Sequence, residues 1–171
     1  MSLGLYLHIP YCFSKCRYCD FYSAPGQRGV PRAYVDALLR ELSRFAPDAP
    51  LRPDTLYFGG GTPSLLDPAD AARLIAAAQP LPGAEITLEA NPETVTEDSL
   101  RAFREAGVNR ISFGVQSARD SQLKTLGRPH TARQARAAFA AARRAGFTNI
   151  SGDIMLALPH YTQAEFDETL E

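Results

Sequence analysis

Residues 12–19 read CFSKCRYC and contain every cysteine of the 171-residue chain. They follow almost directly after an alternating apolar segment, residues 3–9, that predicts a β-strand. Three residues separate Cys12 from Cys16, and two residues separate Cys16 from Cys19. Thiolates at this spacing on one short loop can face a common point and hold three irons of a cubane cluster, which leaves the fourth iron without a protein ligand. The stretch therefore favours an iron–sulfur site with one open iron.

Two other interpretations of the cysteines stay open at this stage. A structural zinc site needs four closed ligands, and the loop supplies three unless His8 is the fourth. Cys16 and Cys19 alone could form a thiol redox pair, but Cys12 would then have no role. The cluster is favoured over zinc, and zinc over the redox pair.

Composition limits the classes of function. The chain has 18 Lys and Arg against 19 Asp and Glu, and its net charge of −1 indicates no nucleic-acid partner. Three cysteines on one short loop do not form the pattern of a secreted disulfide framework. No segment reaches the ~18 apolar residues that span a bilayer, and residues 1–4 lack the basic start of a signal peptide. We therefore expect a cytoplasmic protein, in which thiols stay reduced.

Strand-like and helix-like segments alternate five times along the chain, in units of roughly thirty residues. No linker or low-complexity run interrupts them, so we expect one domain over residues 1–171. The alternation indicates parallel strands joined by right-handed helical crossovers. The predicted strands are 3–9, 56–58, 85–89, 110–115 and 149–156, and the predicted helices are 31–45, 68–79, 96–106, 131–145 and one that begins near 162.

The predicted strands have one apolar face and one polar face. Parallel strands buried on both faces read instead as continuous apolar runs, and a closed eight-stranded barrel fills its interior with branched apolar residues. The sequence therefore predicts an α/β fold that forms a partial, open barrel, with a polar ligand near the carboxyl ends of its strands. The polar face contains Tyr6, His8, Thr55, Tyr57, Glu85, Thr87, Glu89, Ser112, Gly114, Gln116, Ser151 and Asp153.

The motifs of the chain resemble those of the radical S-adenosylmethionine (SAM) superfamily, and within it the oxygen-independent coproporphyrinogen oxidase group. The cysteine spacing resembles the superfamily signature, and further matches run in register over nearly the whole chain. They are residues 6–12 (YLHIPYC), 58–64 (FGGGTPS), 89–92 (EANP), 114–117 (GVQS), 126–128 (LGR), 153–155 (DIM) and 158–159 (LP). Asp20 and Phe21 follow Cys19, as in HemW-type haem chaperones, whereas the coproporphyrinogen dehydrogenases carry another cysteine at the position of Phe21.

This resemblance implies that Cys12, Cys16 and Cys19 hold a 4Fe–4S cluster whose open iron binds SAM. It implies a radical SAM core with five of the six βα units, so that the sixth unit and the carboxyl-terminal region lie outside residues 1–171. The SAM-binding positions that it implies are Tyr6, Tyr18, Gly60, Gly61, Thr62, Glu89, Gln116, Arg128 and Asp153.

The function implied by the resemblance is that of a haem chaperone. Such a protein binds haem or porphyrin, needs an electron donor for its cluster and delivers haem to respiratory haem proteins. The alternative is an oxygen-independent coproporphyrinogen III oxidase, in which a 5′-deoxyadenosyl radical abstracts hydrogen from a propionate side chain. A zinc-stabilised βα domain without catalysis is the third possibility.

Four other residues carry expectations about structure. His8 is predicted to be a packed core histidine, and His130 to be an exposed residue at the start of a helix. Ala157 and His160 stand where the resembling group usually has glycine, so we expect the loop after the fifth strand to differ from the group.

Overall fold

The structure is a computed structural model that describes residues 2–45, 50–158 and 161–170. Its five strands are all parallel and lie in one sheet in the order β1-β2-β3-β4-β5. Within the described residues β1 and β5 do not pair, so the sheet is open and the predicted α/β architecture is confirmed. The strands are β1 (Gly4–Ile9), β2 (Thr55–Gly60), β3 (Glu85–Ala90), β4 (Arg110–Gln116) and β5 (Asn149–Ile154).

Six helices accompany the strands within the described residues. They are α1 (Arg32–Phe45), α2 (Pro68–Ala78), α3 (Glu97–Glu105), α4 (Asp120–Leu126), α5 (Ala132–Arg144) and α6 (Gln163–Leu170). Helices α1, α2, α3 and α5 pack against the apolar face of the sheet. Single 3₁₀ turns at Pro63–Leu65 and Pro92–Thr94 follow β2 and β3. Helix α2 begins at a capping residue, because the Asp67 carboxylate accepts from the N–H of Ala69 over 2.8 Å.

The core lies between the helices and the apolar face of the strands. The central strands contribute fully buried side chains to it, among them Phe58, Leu88, Ile111 and Phe113. The opposite face carries the polar side chains that the alternation predicted. Burial of the apolar face fixes the register of each strand, because a slip of one residue would turn its polar side chains into the core. The polar face is therefore held in a defined orientation.

A bulge interrupts the pairing of β4 with β5 between Gly114 and Gln116. Gln116 has φ of +69°, a left-handed conformation that is uncommon for a residue other than glycine. The backbone N–H of Met155 donates to the Gln116 carbonyl over 3.0 Å, so strand pairing continues past the bulge. The bulge re-aims the end of β4, as bulges beside functional sites commonly do.

Some element boundaries differ from the predicted ones. The fifth strand ends at Ile154 instead of 156, and φ is +54° at Ala157, which is incompatible with an extended chain there. Helix α4 was not predicted. It has seven residues, which is too short for an apolar helical repeat to be visible in the sequence. Only Leu123 and Leu126 are buried.

Candidate functional site

The cysteine loop lies between β1 and α1 and is fixed by main-chain hydrogen bonds. The N–H of Cys12 donates to the Ala24 carbonyl over 3.0 Å, and the N–H of Gln27 donates to the Cys12 carbonyl over 2.9 Å. The N–H of Arg17 donates to the Leu126 carbonyl over 3.0 Å, which ties the loop to the end of α4. All three cysteines are free thiols, of which Cys12 is buried and the other two are partly exposed.

The three thiols line one cavity of about 290 Å³. The cavity lies at the carboxyl ends of the strands, which is the edge where parallel α/β sheets build their sites. Of the predicted SAM positions, those that line it with the cysteines are Tyr18, Gly60, Gly61, Thr62, Glu89, Gln116, Arg128 and Asp153. Every predicted position except Tyr6 is therefore in the same cavity.

Tyr6 lies in a neighbouring cavity of about 380 Å³. Phe21, Gly60 and Glu89 line both cavities, so the two are adjacent. The ring of Tyr6 stacks on Tyr57 with 5.8 Å between centroids and 15° between planes. Tyr6 is thus placed beside the cysteine cavity, on an aromatic extension of it.

The side chains around the cavity suit a cluster better than a single metal ion. Among residues 2–45, 50–158 and 161–170, no three His, Cys, Asp or Glu side chains are grouped as ligands for one metal ion. A cubane cluster makes a different demand, because each of its cysteines binds a separate iron and the sulfurs stand around the cluster, apart from one another. Three free thiols around one open cavity fit a cluster. The closed four-ligand site of structural zinc has no counterpart among the residues that the structure describes.

The glycines after β2 allow close approach of the backbone. A Cβ atom at Gly60 would lie 2.6 Å from Nδ1 of His8, and φ at Gly60 is +118°. A Cβ atom at Gly61 would lie 2.9 Å from the Cys12 sulfur. Side chains at these two positions would therefore collide with the polar face of β1 and with the cysteine loop.

Glu89 is held at the end of β3 by two donors. The Tyr57 hydroxyl donates to Oε1 over 2.8 Å and the N–H of Gly60 donates to Oε2 over 3.2 Å. Burial raises the pKa of Glu89 above its usual value, an effect that these two hydrogen bonds oppose and the nearby Asp153 reinforces. Burial, followed by the hydrogen bond to Glu89, likewise raises the pKa of Tyr57. The site therefore contains a carboxyl group whose proton affinity is increased by its surroundings.

Arg128 follows α4 and reaches the cysteine loop from the opposite wall. Its Nη1 donates to the sulfur of Cys16 over 3.4 Å, and its Nη2 donates to Asn91 Oδ1 and to the Gly114 carbonyl, both over 2.6 Å. Its Nε is buried and has no hydrogen-bond partner among the described residues. Burial raises the pKa of the neighbouring Tyr18 to about 12; the charge of Arg128 opposes this shift, and Cys16 and Cys19 add to it.

Hydroxyl groups on β4 and β5 position the last predicted carboxylate. The Ser112 hydroxyl donates to Asp153 Oδ1 over 3.2 Å, and the Ser151 hydroxyl donates to Ser112 over 2.9 Å. The strand alternation predicts that Ser112 lies on the polar face but does not indicate this contact with Asp153. Asn91 was also missed, although it lies two residues after Glu89 and thus on the same side of the chain.

Two histidine predictions are corrected. His8 is half-buried on the polar face, where its Nε2 lies 3.0 Å from the Tyr22 carbonyl, so it is not packed in the core. His130 is buried, not exposed. It lies two residues before α5, beneath the end of β4. Its Nε2 lies 3.2 Å from the Val115 carbonyl, and its Nδ1 lies 3.2 Å from Glu93 Oε2 without the alignment of a hydrogen bond. His160 lies outside the described residues.

Comparison with known proteins gives the family. The sequence profile of the Radical SAM superfamily matches residues 6–171. The chain belongs to the radical SAM superfamily. A 4Fe–4S cluster and SAM are general to radical SAM proteins.

Relatives of the chain include haem chaperones and a mitochondrial protein. The chain is 44% identical over 169 residues to the haem chaperone HemW of Escherichia coli strain K12, covering 95% of this chain and 45% of that protein. It is 41% identical over 166 residues to the bovine mitochondrial radical SAM domain-containing protein 1, covering 91% of this chain and 36% of that protein. The chain thus spans less than half the length of these relatives.

Solved radical SAM structures share the fold. The coproporphyrinogen III oxidase HemN of E. coli superimposes with a TM-score of 0.87 at 32% identity, covering 99% of this chain and 40% of that one. The cobalamin-dependent radical SAM enzyme OxsB superimposes with a TM-score of 0.62 at 18% identity, and the alignment covers 98% of this chain and 26% of that one. This similarity shows a shared fold alone. None of the helices within residues 2–45, 50–158 and 161–170 has the length and hydropathy of a transmembrane span.

Proposed function

We propose that this chain is the cluster- and SAM-binding domain of a cytoplasmic haem chaperone of the HemW type. The observation that carries the proposal is the meeting of all three free thiols with polar strand-end side chains in one cavity. Cys12, Cys16 and Cys19 would hold the 4Fe–4S cluster. Together the cluster and SAM supply one-electron reductive chemistry when both are bound.

The remaining side chains have roles suited to the polar parts of SAM. Gly60 and Gly61 expose backbone where side chains would collide, so a ligand can approach closely. Arg128 lines the cavity, and the positive charge of its guanidinium group suits the methionine carboxylate. Glu89 and Asp153 supply oxygens for the ribose hydroxyls or the sulfonium charge.

Four other predicted positions border the ligand. Gln116 presents an amide to the cavity from the bulge on β4, and Tyr18 adds an aromatic wall beside Arg128. Thr62 lies at the cysteine end, where its hydroxyl donates to the sulfur of Cys12 over 3.6 Å. Tyr6 would border the ligand from the adjacent aromatic cavity.

The chaperone assignment is supported by sequence at two levels. HemW proteins of several bacteria are 35–44% identical to the chain over most of its length. Phe21 occupies the position at which the coproporphyrinogen dehydrogenases carry a further cysteine. The implied partners are haem or porphyrin, respiratory haem proteins as recipients, and an electron donor for the cluster.

A second candidate is an oxygen-independent coproporphyrinogen III oxidase. Its support is the HemN structure, which superimposes on nearly the whole chain at a TM-score of 0.87. In that case the cavity would accept a porphyrinogen propionate beside SAM.

The two candidates are separated by giving each ligand to the same protein. The full-length protein is purified and reconstituted with iron and sulfide without oxygen, and is then mixed either with haem or with coproporphyrinogen, SAM and a reductant. A chaperone retains haem through gel filtration and leaves coproporphyrinogen unchanged. Decarboxylation of coproporphyrinogen over many turnovers would contradict the chaperone assignment and support the oxidase.

A further inference from the structure

A series of hydrogen bonds runs along the wall of the cavity from one cysteine to another. The Thr62 hydroxyl donates to the Cys12 sulfur over 3.6 Å, and Nδ2 of Asn91 donates to that hydroxyl oxygen over 3.2 Å. Oδ1 of Asn91 accepts from Nη2 of Arg128 over 2.6 Å, and Nη1 of Arg128 donates to the Cys16 sulfur over 3.4 Å. Three side chains from three different strand–helix connections thus join Cys12 to Cys16.

The donor and acceptor chemistry of the side chains fixes the direction of each of these four hydrogen bonds. Arginine has no acceptor, so the amide oxygen of Asn91 must face Arg128 and the amide NH₂ must face Thr62. The Thr62 hydroxyl then accepts from Asn91, and its single proton is left for the sulfur of Cys12. Thr62 and Arg128, at the two ends of this hydrogen-bond series, therefore each present a donor to a cysteine sulfur. Asn91 sets the orientation of the Thr62 proton.

We infer that Asn91 is a positioning residue that sets the reduction potential of the cluster through Thr62 and Arg128. The inference rests on the proposed cluster at Cys12, Cys16 and Cys19. Hydrogen bonds to ligand sulfurs withdraw electron density and favour the reduced state, so they raise the potential of an iron–sulfur cluster. Second-shell partners of this kind also hold the ligands in place and strengthen metal binding.

Burial supports a specific role over an incidental contact. Thr62 is 2% exposed and lies two residues after β2, beside the glycines that approach the cysteine loop. Its backbone N–H is already used, because it donates to the Tyr11 carbonyl over 2.8 Å. With the main chain fixed in this way, the remaining freedom of Thr62 is the direction of its hydroxyl proton, and Asn91 determines it.

The test compares reconstituted full-length protein with its Asn91→Ala, Thr62→Val and Thr62→Ser variants. Asn91→Ala and Thr62→Val should each make the midpoint potential of the cluster more negative, as followed by redox titration with EPR detection. Each should also release iron to a chelator about tenfold faster than wild type. Thr62→Ser keeps the hydroxyl and should therefore retain the wild-type potential. A purely steric effect at this position would shift the potential in Thr62→Ser as well.

Asn109→Ala is the matched control. Asn109 also uses both ends of its amide, since Oδ1 accepts from the N–H of Ile86 and Nδ2 donates to the Ala84 carbonyl, each over 2.8 Å. It lies at the other end of the sheet, so its loss should lower stability without changing the potential of the loaded fraction.

The outcomes separate this inference from the proposed function. If wild-type protein takes up a cluster and Asn91→Ala leaves the potential of that cluster unchanged, the inference is wrong and the proposed function stands. If wild-type protein takes up no cluster, both are wrong. An equal shift in Asn91→Ala and Asn109→Ala would also overturn the inference, because it would reflect general destabilisation.

Discussion

The guanidinium of Arg128 donates a hydrogen bond to the sulfur of Cys16 across 112 positions of sequence. This contact joins the loop after β1 to the turn after α4. The main-chain bond from Arg17 to Leu126 lies beside it, so the two segments are tied through both backbone and side chain. The cysteine loop is consequently part of the strand-end cavity and does not stand apart from the fold.

Arg128→Lys is expected to weaken SAM binding by about tenfold, because lysine retains the charge but loses the planar set of donors. Binding is measured by anaerobic equilibrium dialysis against the reconstituted protein. Arg101→Lys is the control, since Arg101 forms exposed ion pairs on α3 away from the cavity. Unchanged affinity in Arg128→Lys would contradict the assignment of Arg128 to the SAM carboxylate.

Gly60→Ala should destabilise the chain more than Gly83→Ala does. Both glycines have positive φ, +118° and +82°, so each alanine introduces backbone strain of about 1 kcal/mol. A Cβ at Gly60 would also meet the His8 ring at 2.6 Å, whereas nothing lies within 4 Å of a Cβ at Gly83. We expect Gly60→Ala to lower the free energy of unfolding by at least about 2 kcal/mol, as determined by urea titration. Equal losses in the two variants would mean that the close approach to His8 is absent.

Ala157→Gly should stabilise the chain by about 0.5–1 kcal/mol. Ala157 has φ of +54°, a conformation that costs energy for any residue with a Cβ atom. Ala106→Gly is the matched control, because Ala106 has φ of −65° at the end of α3 and glycine there should be destabilising. Thermal unfolding of both variants gives the comparison, and loss of stability in Ala157→Gly would contradict the left-handed conformation.

The buried carboxyl of Glu89 should make stability depend on pH. Its pKa in the folded chain is raised above the usual value of 4.5, so the folded state binds this proton more tightly than the unfolded state. The resulting stabilisation is fully present below pH 4.5 and is lost as the pH rises through the folded-state pKa. The free energy of unfolding of the wild type relative to Glu89→Gln should therefore fall between acid and neutral pH.

Urea titrations of the cluster-free chain at several pH values measure this difference. Glu105→Gln serves as the control, because Glu105 is exposed at the end of α3. A difference between wild type and Glu89→Gln that is flat or rises with pH would show that Glu89 is solvated in the folded chain.

The strand alternation and the turn residues were enough to predict the open parallel sheet. A polar residue at every second position identified the face on which Glu89 and Asp153 lie, because strand periodicity is strictly two. The cysteine spacing and the resemblance supplied the rest of the predicted site. Both signals are local or family-based, and neither reports which side chains touch.

Other features depended on tertiary contacts that sequence periodicity does not carry. Asn91 looks like an ordinary turn residue before proline, and its link to Thr62 and Arg128 exists only after three connections converge. His130 follows a proline at a helix start, a pattern typical of exposed residues, yet α5 packs it under Val115. Tyr6 shares the polar face with His8, but its stacking on Tyr57 moves it into the adjacent cavity.

The proposed function requires an iron that the three sulfurs leave open to SAM. The most direct measurement is EPR spectroscopy of the anaerobically reconstituted, reduced protein, recorded without and with SAM, on samples in which iron, sulfide and zinc have been determined. We predict one 4Fe–4S cluster per chain and a clear change of its spectrum when SAM is added. Bound zinc in place of iron, or a cluster whose spectrum SAM leaves unaltered, would contradict the account.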